Sequence, residues 1–160
     1  MTTPVRTPQA VRARVPAFVT GLGLGAFVDG IVLHQLLQWH HLVVERVPVD
    51  GVGSLQRNVV WDGVFHAGAW VVVLAGLLWL SHRGDHARAL GLRRTCGLLL
   101  AGWGVFNLLD QAVFHLLLDA HTVRTGADAV LYETGWTLLG VALVAIGMLL
   151  ARDREGSLSR

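Results

Sequence analysis

The sequence predicts an all-α integral membrane protein, a bundle of four spanning helices. Of its 160 residues, 53% are hydrophobic and only 15% are charged, whereas soluble domains carry about 25% charged residues. The apolar residues are concentrated in four segments, each long enough to cross a hydrocarbon core about 30 Å thick. Aspartates and histidines recur at the same spacing in the two halves of the chain. This composition excludes a secreted disulfide scaffold and a cytosolic enzyme, and no nucleic-acid partner is expected despite a pI of 9.5.

We place the spans at residues 17–44, 59–80, 95–120 and 129–151, between an N-terminal tail at 1–16 and a C-terminal tail at 152–160. All 13 basic residues are arginines, and ten of them lie in the two tails or between the second and third spans. Because arginine is enriched in cytoplasmic segments, both termini are predicted to be cytoplasmic. The expected location is the bacterial cytoplasmic membrane, with the lipid bilayer around the helices.

The two halves of the chain align when Asp29 is placed on Asp110. The aligned residues are Gly21, Gly23, Asp29, His34 and His40 in the first half, and Gly102, Gly104, Asp110, His115 and His121 in the second. Allowing for a first outer loop that is about ten residues longer than the second, Trp61–Asp62 corresponds to Tyr132–Glu133. Because the first and third spans run in the same direction, we interpret the chain as two parallel helical-hairpin repeats. The glycines allow close approach of the helices.

Nine ionisable residues lie within the predicted spans or at their outer ends, and such residues are functional candidates because burying them in a bilayer is costly. With a rise of about 1.5 Å per residue, they fall into three layers. The outer layer contains His40, Asp62, His121 and Glu133, the middle layer His34, His66 and His115, and the deep layer Asp29 and Asp110. This arrangement predicts a metal site in the extracytoplasmic half of the bundle, with the middle layer as core ligands and the other residues completing one or more metals.

One feature conflicts with a single metal cluster. At about 100° per residue, His34 and His115 lie about 140° around a straight helix from Asp29 and Asp110. Straight helices therefore do not aim both groups at one point. The ligand types leave copper, iron and zinc open, because imidazole suits all three ions. The sulfur residues Cys96 and Met148 are close to the cytoplasmic ends, which disfavours a thiolate site for Cu(I).

Two other classes of function use the same residues. Histidines that titrate near neutral pH would suit a proton or ion path in a small transporter. However, both repeats offer almost only glycine and apolar residues on the cytoplasmic side of the aspartates. Alternatively, His34 and His115 would be axial ligands of a b-type haem in an electron-transfer protein.

The segments Gly25–His41, Trp61–His66 and Asn107–His115 resemble a bacterial family of predicted four-span membrane proteins, catalogued as a domain of unknown function. Members are often encoded beside proteins that resemble copper-insertion assembly factors of cytochrome oxidase. The resemblance therefore implies copper as the favoured ion and a cytochrome oxidase assembly protein as a partner. The site would serve copper handling for respiratory oxidases or metal-dependent oxidation, and the second role would make the protein a membrane oxidoreductase. A homo-oligomer is compatible with the sequence.

Overall fold

The computed structural model of the protein describes residues 13–118 and 120–152. Four long helices run over Arg14–Leu36, Val52–His82, Leu92–Leu117 and Ala129–Ala151, and a short helix, Gly84–Leu90, joins the second to the third. The described residues contain no strand. Each long helix has the length and hydropathy needed to cross a membrane, so the prediction of an all-α protein with four spans is confirmed. The predicted tails at 1–16 and 152–160 lie mostly outside the described residues.

The first and third spans form the inner pair of helices. The first packs against the second and third, and the third packs against the first and fourth. In the most apolar part of each inner span 50% of the residues are buried, against 11% in the second span and 17% in the fourth. The second and fourth spans therefore flank the inner pair and turn most of their apolar side chains towards the lipid.

Glycines bring the inner pair into backbone contact. A Cβ atom on Gly21 would collide with the carbonyl group of Leu99, and one on Gly102 would collide with the carbonyl oxygen of Phe18. Phe18 and Leu99 are themselves aligned positions of the two halves. The same contact is therefore made twice with the halves exchanged, which supports the interpretation of the chain as two helical-hairpin repeats.

The first and third spans each end in a π-helix. The α-helix Arg14–Asp29 continues as the π-helix Gly30–Leu36, and Leu92–Asp110 continues as Gln111–Leu117. In a π-helix each N–H bonds to the carbonyl five residues back instead of four. The N–H of Leu37 bonds in this way to Val32 at 2.8 Å, and that of Leu118 to Val113 at 2.8 Å. Residues five apart therefore lie on the same side of these segments.

The helix ends differ from the predicted ones. The first span ends at Leu36 rather than residue 44, because Gln38 has a left-handed φ of 49° and the N–H of Trp39 turns back to the carbonyl of Leu33. Such a turn is a common way to end a helix. The third span likewise ends at Leu117 rather than residue 120. His40 and His121 were expected on the helices, and this placement was wrong, since both lie in the segments that follow them.

We predict that Gly21→Ala destabilises the protein by about 1–3 kcal/mol, since the new methyl group forces apart two backbones in contact. The matched control is Gly68→Ala in the second span, where a Cβ meets nothing within 4 Å. That change should stabilise the helix by about 0.5–1 kcal/mol. Unfolding in detergent titrated with a denaturant measures both. Equal effects of the two variants would contradict the close contact of the inner pair.

Candidate metal centre

Four imidazoles meet where the first and third spans end. His34 lies beside His40 with ring centroids 4.6 Å apart, and His115 lies beside His121 at 4.5 Å. His40 and His121 stack on each other at 4.5 Å with an interplanar angle of 10°. All four side chains are buried. We call these four residues the histidine cluster.

Each π-helix places an aspartate beside this cluster. Asp29 Oδ2 lies 3.6 Å from His34 Nε2, and Asp110 Oδ2 lies 3.1 Å from His115 Nε2. The separation of about 140° expected on a straight α-helix was therefore wrong, because the wider π turn brings residues five apart together. The two aspartates also lie near each other, and their mutual repulsion adds to the cost of burying them.

The Nδ1 atoms of His34 and His115 are held by carboxylates from the flanking spans. His34 Nδ1 lies 3.1 Å from Asp62 Oδ1 in the second span, and His115 Nδ1 lies 2.8 Å from Glu133 Oε2 in the fourth. Asp62 and Glu133 are the aligned positions of the two halves. Both carboxylates are directed at the Nδ1 side of the rings, where they orient the histidines.

The Nδ1 atoms of His40 and His121 are held by backbone carbonyls from the opposite half of the chain. His40 Nδ1 donates to the carbonyl of Val123 at 2.8 Å, and His121 Nδ1 donates to that of Leu42 at 3.1 Å. A carbonyl oxygen only accepts hydrogen bonds, so Nδ1 of each ring carries the proton. In a neutral imidazole, Nε2 then has a free lone pair.

All four Nε2 atoms of the histidine cluster are buried without a hydrogen-bond partner; the approaches to Asp29 and Asp110 lack hydrogen-bond geometry. A buried polar atom left unpaired is unfavourable, and here four such nitrogens occur together. Histidines that bind a metal usually donate their other ring N–H to a carboxylate or a carbonyl. The four rings have this arrangement, with Nε2 free to bind.

His40 and His121 lie beyond the spans, and both rings are held neutral. Burial, together with the neighbouring His121 and His34, lowers the pKa of His40 from 6.5 to about 2. Burial likewise lowers the pKa of His121 from 6.5 to about 4, against a smaller opposing effect of Asp110. A neutral ring cannot compensate the charge of a carboxylate. At physiological pH these two histidines therefore contribute the lone pair of Nε2 but no positive charge.

The ligand atoms form two overlapping groups. Those of His34, His40 and His121 lie within 4.8 Å of one another, and so do those of Asp110, His115 and His121. Metal–nitrogen bonds of about 2.0–2.1 Å make such separations suitable for ligands of one ion. Asp29 belongs to neither group, but its Oδ1 is buried and unpartnered and its Oδ2 faces His34. The geometry fits one ion, or two that share His121.

The buried carboxylates favour a cation here. Asp29, Asp62 and Asp110 are at most 3% exposed, and the side chain of Glu133 is 21% exposed. The hydrogen bonds and ion pairs seen for these four carboxylates within residues 13–118 and 120–152 are with imidazoles and N–H groups. A buried charge is costly unless it is paired or binds a metal. A divalent ion would supply the missing positive charge.

His66 lies apart from the cluster. Its Nδ1 is 2.8 Å from the carbonyl of Asp62 in its own helix, and its ring packs edge-on to Phe27 and Phe65. Its Nε2 faces Gly30, where a Cβ atom would lie 2.6 Å away. Of the three predicted core ligands, the structure brings His34 and His115 into the cluster and leaves His66 outside both groups.

Sequence reasoning missed the partners that fix the cluster. The carbonyls of Leu42 and Val123 carry no side-chain signal. The side chains of His41 and Gln111 bond to Asp62 at 2.6 Å and to Glu133 at 2.6 Å, respectively. Each lies next to a predicted ligand in the sequence, but only the folded chain shows which carboxylate it meets.

The family model for predicted membrane proteins, DUF2243, matches residues 16–154. The chain belongs to this family. The family is one of unknown function, which confirms the resemblance seen in the sequence and agrees with the four spans, without identifying a metal or an activity. No curated protein and no solved structure matches the DUF2243 chain.

We predict that His40 and His121 of the metal-free protein stay neutral with the proton on Nδ1 between about pH 5 and pH 8, the interval in which histidine ordinarily titrates. The lowered pKa values place protonation below this interval. Nitrogen-15 NMR of histidine-labelled protein in detergent reports both tautomer and charge. Titration of either ring near 6.5 in the folded protein would contradict its burial, and unfolded protein provides the reference.

Proposed function

We propose that this DUF2243 protein is a membrane-embedded metal-binding protein, with the histidine cluster, Asp29 and Asp110 as its ligands. The observation that carries the proposal is the set of four buried Nε2 atoms without partners, each on a ring whose Nδ1 is already held. Asp62 and Glu133 orient His34 and His115. The site lies at the predicted outer ends of the first and third spans.

Copper is the ion we favour. An imidazole-rich donor set binds copper well, and Cu²⁺ is the tightest-binding divalent ion of the first transition row at a given site. The two sulfur residues in the described spans, Cys96 and Met148, lie near the opposite ends of their helices from the cluster. The centre would therefore bind copper through nitrogen and carboxylate oxygen. Iron and zinc use the same ligand types.

We further propose that the centre serves copper handling for respiratory oxidases, with a cytochrome oxidase assembly protein as the partner. This step rests on the resemblance described for the sequence. A bound copper ion would also supply redox chemistry, so metal-dependent oxidation is the second role for the same site. In either role, this chain's own residues bind the ion, fix the imidazole tautomers and exclude water.

The packing favours a metal centre over the two other classes of function. A b-type haem between His34 and His115 needs space for a porphyrin, but His40 and His121 pack against both rings at centroid distances of 4.5–6.3 Å. A proton path needs polar groups through the membrane. Below the aspartates, the glycine contacts of the inner pair bring backbone against backbone.

Metal analysis by plasma mass spectrometry tests the proposal on protein purified in detergent from cells supplied with copper, iron and zinc. We expect one or two equivalents of copper, and loss of most of it in His40→Ala and His121→Ala. The matched control is His82→Ala at the far end of the second span, which should keep the wild-type content. His66→Ala should keep it as well, because His66 lies outside both ligand groups. A wild-type protein that stays metal-free after reconstitution would refute the proposal.

Removing the carboxylate that orients a ligand should weaken binding without abolishing it. We predict that Asp62→Asn and Glu133→Gln each lower metal affinity by about 10–100-fold, as is typical when the hydrogen-bond partner of a ligating histidine is changed. Competition with a chelator of known affinity measures the change. Unchanged affinity in both variants would mean that His34 and His115 do not bind the ion.

A further inference from the structure

The surroundings of the histidine cluster are not symmetric. Asp62 accepts hydrogen bonds from His34, from the N–H of Leu42 at 2.9 Å and from His41 Nδ1 at 2.6 Å. Glu133, in the aligned position, has Gln111 as its third partner at 2.6 Å. One carboxylate is therefore bonded to a second imidazole and the other to an amide.

His41 differs from the cluster in its exposure. Its side chain is 13% exposed, whereas those of His34, His115 and His121 are 0–2% exposed. Nδ1 of His41 is occupied by Asp62, and no residue in the described part of the chain bonds to its Nε2. His41 thus presents a free imidazole nitrogen at the surface, bonded to the same carboxylate that holds a buried ligand.

The other half of the chain has no imidazole at the corresponding place. Thr122 is aligned with His41, and its hydroxyl is buried without a partner. Two residues further along the chain, the guanidinium of Arg124 lies 4.9 Å from the ring centroid of Tyr132 and 5.5 Å from that of Trp39. These two rings pack at 5.0 Å. The positive charge of Arg124 repels a metal ion that approaches from this side.

We propose that His41 is the receiving ligand through which a metal ion reaches the histidine cluster. The inference rests on the proposed metal centre and adds its access route. An arriving ion exchanges a water ligand for His41 Nε2 and is then held next to Asp62. From there it is passed to Nε2 atoms that solvent does not reach. Because Nδ1 of His41 already donates to Asp62, the lone pair of the neutral ring lies on Nε2, the atom that would bind the ion.

Rapid mixing of metal-free protein with Cu²⁺, stopped by excess chelator and followed by metal analysis, measures the loading rate. We expect His41→Ala to load at least about tenfold more slowly than wild type, because the ion must then reach a covered site directly, and to arrive at the same final copper content. An unchanged final copper content would also show that the His41→Ala variant is folded. Thr122→Ala is the matched control and should load at the wild-type rate.

His41→Asn separates binding from positioning. Its amide N–H can still donate to Asp62, but it lacks the imidazole Nε2, so it should load as slowly as His41→Ala. Wild-type loading by His41→Asn would mean that His41 only supports Asp62, and wild-type loading by His41→Ala would mean that the ion takes another route. Either result overturns the proposal while leaving the metal centre intact. A wild-type protein that takes up no copper removes the metal centre itself.

Discussion

The π turn after each buried aspartate is the constraint on which the rest of the site depends. An α-helix would leave Asp29 and His34 on different sides, and the same is true of Asp110 and His115. The π turn instead places each carboxylate within 3.6 Å of the Nε2 atom of its histidine. π-helical segments are rare and frequently occur at functional sites. Two such segments at aligned places in one small protein indicate that the turn serves the site rather than the membrane span.

The second constraint is that a backbone carbonyl in each half of the chain accepts a hydrogen bond from a histidine of the other half. The N–H of Leu42 donates to Asp62, and its carbonyl accepts from His121. Val123 does the same with Glu133 and His40. One residue therefore ties a carboxylate of its own half to an imidazole of the opposite half.

Assembly of the site requires both hairpins. Neither hairpin contains all the partners that its own histidines need, so the cluster forms only when the first and third spans pack together. The glycines that bring their backbones into contact lie well away from the site. They nevertheless determine whether the two halves can exchange these hydrogen bonds. The packing of the first span against the third therefore determines whether the histidine cluster can form.

Much of this was predictable from the sequence, because hydropathy and the cost of buried charge act locally. The four spans follow from apolar length, and Asp29 and Asp110 stand out because carboxylates are rare in a bilayer. The geometry around them was not predictable, because periodicity arguments assume an α-helix throughout. A π turn has no simple signature in the side chains, and the same assumption placed His40 and His121 on helices that end before them.

The position of the His66 side chain was not predictable either. The sequence indicates the height of His66 along the membrane normal, but not the direction in which its side chain points. His66 and His34 were expected in the same layer. In the structure, His66 packs over Gly30 and between two phenylalanines, so its ring fills the space left by a missing side chain. Whether a ring faces the cluster or a neighbouring helix depends on such packing. This packing involves residues of two spans, so the sequence of one span does not predict it.

The two halves differ in the size of the residues at two pairs of corresponding positions. Gly30 and His66 in the first half correspond to Gln111 and Thr137 in the second, so the larger residue is on the flanking span in the first half and on the inner span in the second. His66 Nδ1 and the hydroxyl of Thr137 meet the carbonyls of Asp62 and Glu133, respectively, at 2.8 Å and 2.9 Å. The corresponding carbonyls therefore have an imidazole as partner in the first half and a hydroxyl in the second.

The two carboxylates also have different hydrogen-bond partners. Gln111, 8% exposed, fixes Glu133 with an amide that neither titrates nor readily binds a metal, which makes the second half the rigid side. Asp62 bonds instead to His41, whose free nitrogen reaches the surface. A cluster of four nearly symmetric imidazoles is thus supported on one side by an amide and on the other by a partly exposed imidazole. In the proposed metal centre, an ion would enter and leave through the first half, while the amide of the second half would keep Glu133 in place.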